Sequence, residues 1–138
     1  MSDNRLADQV WQSLSMLVLD NKDGWRRAVV ERTGLPFSRI RILKRLARQP
    51  MTVKQVAEAA TIDAPAATVA INDLEARGLV IRETDPQNRR CKLVSLTDAG
   101  RAVVAVLDAT EDPAPEPLAA LDAKDLQALQ AILTRIVS

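Results

Sequence analysis

The sequence predicts a mainly α-helical protein with one small β-hairpin. Apolar residues recur at helical spacing along most of the chain and alternate only between residues 79 and 96. Two of the helices are joined by a three-residue connection, which is typical of a helix-turn-helix, and the hairpin follows them directly. This order predicts a winged helix-turn-helix with about six helices and an antiparallel sheet of two or three strands.

The composition indicates one globular domain and disfavours an enzyme. Of the 138 residues, 47% are hydrophobic and 27% are charged. The chain has no histidine, which removes the commonest general base and the commonest metal ligand together, and it has only one cysteine. No apolar run approaches the roughly 20 residues of a membrane span, and the N-terminus is unlike a signal peptide. We expect a cytoplasmic protein with no catalytic residue, metal or cofactor.

Charge is unevenly distributed along the chain. Residues 35–101 contain twelve Lys and Arg against seven Asp and Glu, whereas the flanking segments contain seven against eleven. A basic middle segment between acidic flanking segments favours a polyanionic partner. Chance clustering explains the same numbers, so charge alone leaves the partner open.

The first third of the chain predicts two helical segments. Apolar spacing runs from about residue 5 to 31, with a kink or break near Gly24, and "TGLP" at 33–36 ends the segment. The next helix has a strongly basic outer face and ends at "QP", residues 49–50. Its inward positions are Phe37, Ile40, Leu43, Leu46 and Ala47.

The helix-turn-helix is predicted from its end signals. Thr52 and Gln55 have the spacing of a capping box, "TID" at 61–63 is the turn, and Asp63 can cap the helix that follows. Pro65 is tolerated in the first turn of that helix, and Gly78 ends it. Any two packed helices could produce a similar pattern, so the identification of a helix-turn-helix depends on the hairpin that follows it.

The hairpin and the C-terminal helices complete the predicted order. "LVIRET" (79–84) and "CKLVSL" (91–96) are β-rich runs on either side of "DPQNRR". Thr97 caps a helix that extends to about Ala109, the prolines of "TEDPAPEP" interrupt the chain, and Asp122 caps the last helix.

Arg89 and Arg90 are predicted to lie at the hairpin tip. A tip is narrow enough to approach the minor groove of DNA, whose negative potential attracts arginine. Two guanidinium groups there would also neutralise phosphates and release counterions. The alternative is an ordinary charged loop in solvent.

Three stretches resemble the MarR family of winged-helix transcription regulators: "GLPFSRIRILKRLARQP", "LEARGLV" and "DPQNRRCKLVSLTDAG". The resemblance implies a homodimer that binds a palindromic operator in double-stranded DNA and usually represses nearby genes. It further implies release by a small phenolic or aromatic acid, or by oxidation in one branch. Arg89 and Arg90 match the wing arginines of the family, whereas Asn88 stands where the family more often has Asp.

The predicted DNA contacts come from the second helix of the motif, the wing and nearby basic residues. The outward face of the helix offers few reading groups, and an arginine that the family often has near Val69 is missing. We therefore expect mostly electrostatic affinity, with specificity from groove shape. The predicted contacts are Arg39, Lys54, Pro65, Ala66, Thr68, Val69, Asn72, Arg77, Arg89 and Arg90.

The terminal segments are predicted to dimerise, with residues 1–34 and 101–138 flanking a DNA-binding lobe at 35–100. Their dimerisation residues are Leu6, Val10, Leu14, Leu126, Leu129, Leu133 and Ile136. Intramolecular packing of these residues is the alternative.

An anionic aromatic effector would suit a set of aromatic and basic residues near the junction of the segments: Trp25, Arg26, Phe37 and Arg41. The alternative is that the aromatics belong to the core and the arginines to the solvated surface. Cys91, between Arg90 and Lys92, is expected to be a strand residue without a redox role. A rival function for the whole chain is a winged-helix protein-interaction module that does not read DNA.

Overall fold

A computed structural model describes residues 2–137 and contains eight helices and one two-stranded antiparallel sheet in that range. The elements are α1 (Ser2–Asn21), α2 (Asp23–Thr33), α3 (Phe37–Leu46), α4 (Val53–Ala60), α5 (Ala64–Ala76), β1 (Val80–Asp85), β2 (Asn88–Leu96), α6 (Asp98–Ala109), α7 (Glu116–Ala119) and α8 (Ala123–Val137). The predicted winged helix-turn-helix is confirmed, with α4 and α5 as the motif and β1–β2 as the wing.

The helix count exceeds the prediction because two segments are divided differently. The first apolar segment forms two helices that separate at Lys22, so Gly24 lies inside the first turn of α2. The proline-rich segment contains the single turn α7, which begins with Pro117 in its first turn. The third strand is reduced to one bridge, in which Met51 and Val94 exchange backbone hydrogen bonds of 3.1 and 2.7 Å.

The described residues form two compact units, one of residues 22–111 and one of residues 2–21 with 112–137. The first unit has a continuous aliphatic core to which α3, α5 and the wing contribute Ile40, Leu43, Ile71, Leu74 and Val94. Ile42 of α3 is buried as well, whereas Ala47, which follows α3 and was predicted to face inward, is exposed. The functional side chains below are therefore held on a well-packed lobe.

Local hydrogen bonds fix the ends of the motif helices as the sequence predicts. Thr52 and Gln55 form both bonds of the capping box, at 3.1 and 2.9 Å. The Asp63 carboxylate accepts from the Ala66 N–H at 2.7 Å. Gly78 ends the motif with φ 76°, a left-handed conformation that costs glycine little. The start of α4 and both ends of α5 are consequently fixed by local interactions.

Gly100 brings the first turn of α6 against the end of the motif. A Cβ at this position would lie 2.1 Å from the Leu79 carbonyl oxygen, which is a severe clash with backbone. The same carbonyl accepts from the Thr97 N–H at 3.1 Å, and the Thr97 hydroxyl donates to the Gly78 carbonyl at 2.6 Å. The hairpin therefore begins and ends at a fixed place beside α5.

The second unit carries an apolar surface. In α8, Leu126, Leu129 and Leu133 line an open groove of about 720 Å³ together with Leu118 of α7 and Val137. On α1, Leu6 is 65% exposed and Val10 50% exposed, and Leu14 is half-buried. Ile136 is exposed and is not part of the groove lining. Within residues 2–137, no helix has both the length and the apolar character of a membrane span.

Candidate nucleic-acid interface

The helix α5 presents a narrow exposed face with few hydrogen-bonding groups. Ala67, Ala70, Ile71 and Leu74 are buried in the core, as the sequence predicts. The predicted reading residues on the other side of the helix are all exposed: Pro65, Ala66, Thr68, Val69 and Asn72. Apart from Thr68 and Asn72, these side chains offer only apolar surface.

The hydroxyl of Thr68 is directed at its own helix. It donates to the Ala64 carbonyl at 3.0 Å, so its oxygen remains as an acceptor and its methyl group remains available for apolar contact. Val69 is 61% exposed and offers a second apolar contact one residue further on. This part of α5 suits contact with a thymine methyl better than reading by hydrogen-bond donors.

Two of the predicted phosphate-binding arginines share one carboxylate on α5. Arg39 Nε lies 2.9 Å from Asp73 Oδ2, and Arg77 Nε lies 3.2 Å from both Asp73 oxygens. The hydrogen bond from Arg39, and then that from Arg77, lowers the pKa of the Asp73 carboxyl below its usual value. Asp73 therefore stays ionised at neutral pH and offsets part of the positive charge that Arg39 and Arg77 would present to DNA.

A third arginine, Arg82, was not predicted to belong to the site. It reaches from β1 to α5, where its Nη2 donates to Asn72 Oδ1 and its Nε lies 3.6 Å from Glu75 Oε1. The register pairs it with Val94, which is fully buried, so Arg82 stands on the inward side of the hairpin. The sequence held a signal of this, because a charged residue at an inward position of an alternating strand needs a polar partner.

The wing arginines do not lie at the hairpin tip, so that part of the prediction is wrong. The strands pair up to Asp85 and Asn88, which leaves Pro86 and Gln87 as the turn, and the Asp85 carboxylate accepts from the Gln87 N–H at 2.9 Å. Arg89 and Arg90 follow the turn inside β2. The tip is thus uncharged, and the arginines stand beside it.

A bulge presents these arginines to solvent. The register pairs Thr84 with Lys92 and Asp85 with Asn88, so residues 89–91 have no partner positions in β1. Bulges of this kind bend a strand and redirect its side chains. Asn88 braces the bulge, because its Oδ1 accepts from the Arg90 N–H at 3.2 Å and its Nδ2 donates to Cys91 Sγ at 3.4 Å. Arg89 and Arg90 are both exposed.

The remaining predicted basic contact, Lys54, is exposed in the first turn of α4. A flexible ammonium at this position can meet a phosphate without fixing its geometry. Together with α5 and the bulge, Lys54 completes the set of predicted contacts, all of which belong to the unit of residues 22–111.

The predicted effector residues are brought together only in part. Trp25 and Phe37 meet edge to face with ring centroids 5.9 Å apart, and the Arg26 guanidinium lies 4.8 Å from the Phe37 centroid. Both rings pack against the core. Arg41 lines a separate cavity of about 140 Å³ on the α5 side of α3.

Cations already occupy the surroundings of Trp25. The ammonium groups of Lys22 and Lys44 lie 4.8 and 4.9 Å from its ring centroid. These are cation–π contacts, which are strongest for tryptophan. An incoming aromatic ring would have to displace them, whereas a carboxylate could bind to the cations themselves.

A helix-turn-helix with an exposed second helix, followed by a hairpin that carries basic residues, defines a winged-helix lobe, an architecture typical of DNA-binding transcription regulators. A sequence model of the MarR family matches residues 33–90, from the end of α2 to the wing arginines. The predicted resemblance to the MarR family is therefore confirmed for the winged-helix lobe.

Solved structures show the same fold over nearly the whole chain. Apo MarR from E. coli matches with a TM-score of 0.70 at 19% identity, covering 92% of this chain and 96% of that one. The transcriptional regulator BldR from Sulfolobus solfataricus matches at 0.64 and 25%, covering 96% of each chain. A mutant of MepR from S. aureus bound to an oligodeoxyribonucleotide matches at 0.62 and 20%, covering 92% and 95%. A search of curated proteins found no match.

Proposed function

We propose that the protein is a homodimeric transcription regulator that binds a palindromic operator in double-stranded DNA. The observation that carries the proposal is the arginine bulge, which presents Arg89 and Arg90 beside an uncharged turn and opposite no partner strand. Groups that serve only solubility do not require a braced bulge, whereas a finger that enters a groove needs a fixed direction.

The chemistry of α5 indicates that the wing contributes most of the affinity and the helix contributes sequence preference. The exposed helix face is mostly apolar, and Asp73 offsets the charges of Arg39 and Arg77. Affinity then rests on the wing arginines and Lys54, because phosphate neutralisation dominates binding free energy. Apolar contacts of Val69 and the methyl of Thr68 with thymine methyls add sequence preference.

A second copy of the chain is the proposed cover for the terminal helices. Leu126, Leu129 and Leu133 line an open groove, and Leu6 and Val10 are exposed on α1. Apolar surface of this extent marks an association site in most proteins. Two-fold pairing would separate two recognition helices by about 34 Å, one turn of DNA, and would explain a palindromic operator.

We further propose that the regulator is a cytoplasmic, non-catalytic repressor relieved by a small aromatic or phenolic acid, as the family resemblance implies. The cluster of Trp25, Arg26 and Phe37 supports an acidic effector, because three cations stand over its two rings. A carboxylate that binds these cations would withdraw them from the rings. A change in Trp25 fluorescence on addition of such an effector is the expected signature of binding.

DNA binding is tested by measuring how the affinity for duplex DNA taken from upstream of the gene depends on salt concentration. The variant that carries both Arg89→Ala and Arg90→Ala removes four cations per dimer, so the slope of log K against log salt should become shallower by about 3.6. The matched control carries Arg27→Ala and Lys124→Ala, two exposed cations on α2 and α8, and should keep the parent slope. An unchanged slope in the wing variant would refute the assignment.

A protein-interaction module is the second candidate function, and one observation favours it: the exposed face of α5 carries no cationic side chain from Ala64 to Ala76. An interaction module would ignore duplex DNA in dilute buffer, and a gel shift with upstream duplex separates the two candidates. The arginine bulge, for which an interaction module has no evident use, places DNA binding first.

A further inference from the structure

The bond between Arg82 and Asn72 bears on what α5 can read. Asn72 lies on the exposed face of α5, and Arg82 comes from the inward side of β1. The guanidinium Nη2 donates to Asn72 Oδ1 while its Nε faces Glu75 at 3.6 Å. One arginine of the wing thus holds two side chains of the recognition helix that are three residues apart.

Arginine has only donors, so the identity of the bonded Asn72 atom is settled by chemistry. The atom that faces Arg82 must be the carbonyl oxygen, and the amide nitrogen with its two N–H groups is turned to the other side. Arg82 is itself held in place, because it stands on the inward side of the hairpin, where its Nε is buried and faces the Glu75 carboxylate at 3.6 Å. The amide of Asn72 therefore has one orientation.

This orientation changes the base that Asn72 can recognise. The usual pairing of asparagine with adenine needs the oxygen to accept from the adenine amino group while the nitrogen donates to N7. Here the oxygen already accepts from a cation, which draws electron density from it and makes the N–H groups stronger donors. Guanine presents two acceptors, O6 and N7, and thymine presents O4, so both suit a donor. Adenine presents N7 beside an amino donor, which the committed oxygen of Asn72 no longer pairs with, and cytosine presents only an amino donor.

We propose that Arg82 is a specificity-determining residue, which acts by holding Asn72 as a donor so that α5 selects a keto base, guanine or thymine, on the strand it contacts. Arg82 does not touch DNA in this arrangement and acts through Asn72. The inference rests on the proposed DNA-binding function and adds the chemical class of the base that is read.

The experiment is a selection from duplexes randomised across the half-site, carried out in parallel with the parent protein and three variants. The position read by Asn72 is the one whose base preference is lost in Asn72→Ala. The parent should prefer a keto base there by at least about fivefold, the lower end for a specific base contact. In Arg82→Met, which keeps an apolar stem of similar length, the preference should fall below twofold or move to adenine.

Glu75→Gln is the matched control, since it removes the charge that faces Arg82 but leaves the donor to Asn72 in place. Its base preference should equal that of the parent. A parent that selects adenine or cytosine at the Asn72 position overturns the inference, and so does Arg82→Met with an unchanged keto preference. If Arg82→Met fails to fold, as judged by thermal melting, the parent preference alone decides between these outcomes.

Failure of this inference is distinct from failure of the proposed function. The protein could bind duplex DNA with a salt slope that depends on Arg89 and Arg90, yet select an amino base through Asn72. That result would support the proposed function and contradict only the proposed role of Arg82. A protein that binds no duplex at low salt loses both.

Discussion

Asp73 limits the positive charge that the proposed interface presents, which makes Asp73→Asn the most informative single change. The substitution keeps the size of the side chain and removes one negative charge from between Arg39 and Arg77. Each protomer then gains one net positive charge at the edge of α5, or two per dimer. Each additional phosphate that is neutralised steepens the slope of log K against log salt by about 0.9, so the two added charges should steepen it by about 1.8.

The magnitude is large enough to measure. A slope change of about 1.8 means that the ratio of variant to parent affinity changes by about 60-fold over a tenfold range of salt. Fluorescence anisotropy of a labelled duplex from 50 to 500 mM salt, about one decade, covers that range. Binding of random duplex should gain as much as binding of the operator, because the added contacts are with phosphates.

Asp98→Asn is the control for this prediction. Asp98 also pairs with an arginine, since its Oδ1 lies 3.3 Å from Arg101 Nη1, but both residues belong to α6. The same change of charge should leave the slope near that of the parent. If Asp73→Asn and Asp98→Asn steepen the slope equally, net charge explains the effect and Arg39 and Arg77 have no special position at the DNA. If Asp73→Asn weakens binding, Asp73 orients these arginines toward phosphates rather than restraining them.

Two further predictions concern acid stability and assembly. The arginines lower the pKa of Asp73 in the folded state, so its contribution to stability is present above the usual carboxyl pKa of about 4 and is lost as pH falls through the lowered value. Thermal melts between pH 7 and pH 2.5, roughly the range in which carboxyls titrate, should show a steeper loss of Tm on acidification for the parent than for Asp73→Asn, and parallel curves would refute the linkage. Leu133→Glu places a charge in the groove of α8 and should turn a dimer into a monomer by light scattering, whereas Ala131→Glu on the opposite side of α8 should not. A parent protein that is already monomeric would remove the basis for two-fold DNA recognition.

The helix ends were predictable from sequence because their determinants are local. The capping box of Thr52 and Gln55 and the Asp63 cap each join residues three positions apart, and both are present at the predicted positions. The left-handed glycine Gly78 lies at the predicted helix end for the same reason. The break predicted near Gly24 is present two residues earlier, at Lys22, because glycine is tolerated in the first turn of α2.

The geometry of the wing was not predictable, because register is a non-local property. The run "DPQNRR" reads as a six-residue loop when each strand is judged by its β-rich residues alone. The structure shortens the loop to Pro86 and Gln87 and places the extra residues in a bulge of β2, which moves Arg89 and Arg90 away from the tip. The predicted presence of two exposed arginines on the wing is unaffected, but their direction depends on the bulge.

The arginine contacts of α5 were missed for the same reason, and they bear on how the proposed recognition helix would select a sequence. Asn72, Asp73 and Glu75 lie within four residues of α5 and contact arginines from three places: Arg82 of β1, Arg39 of α3 and Arg77 at the helix end. The helix is consequently tied to the wing on one side and to α3 on the other. If α5 has few groups that read bases, the direction in which those groups point matters more than their number. A recognition helix whose polar side chains are held by neighbouring arginines presents one donor and acceptor pattern rather than several, and substitution of the holding residue should change the sequence that is read without removing a contact to DNA.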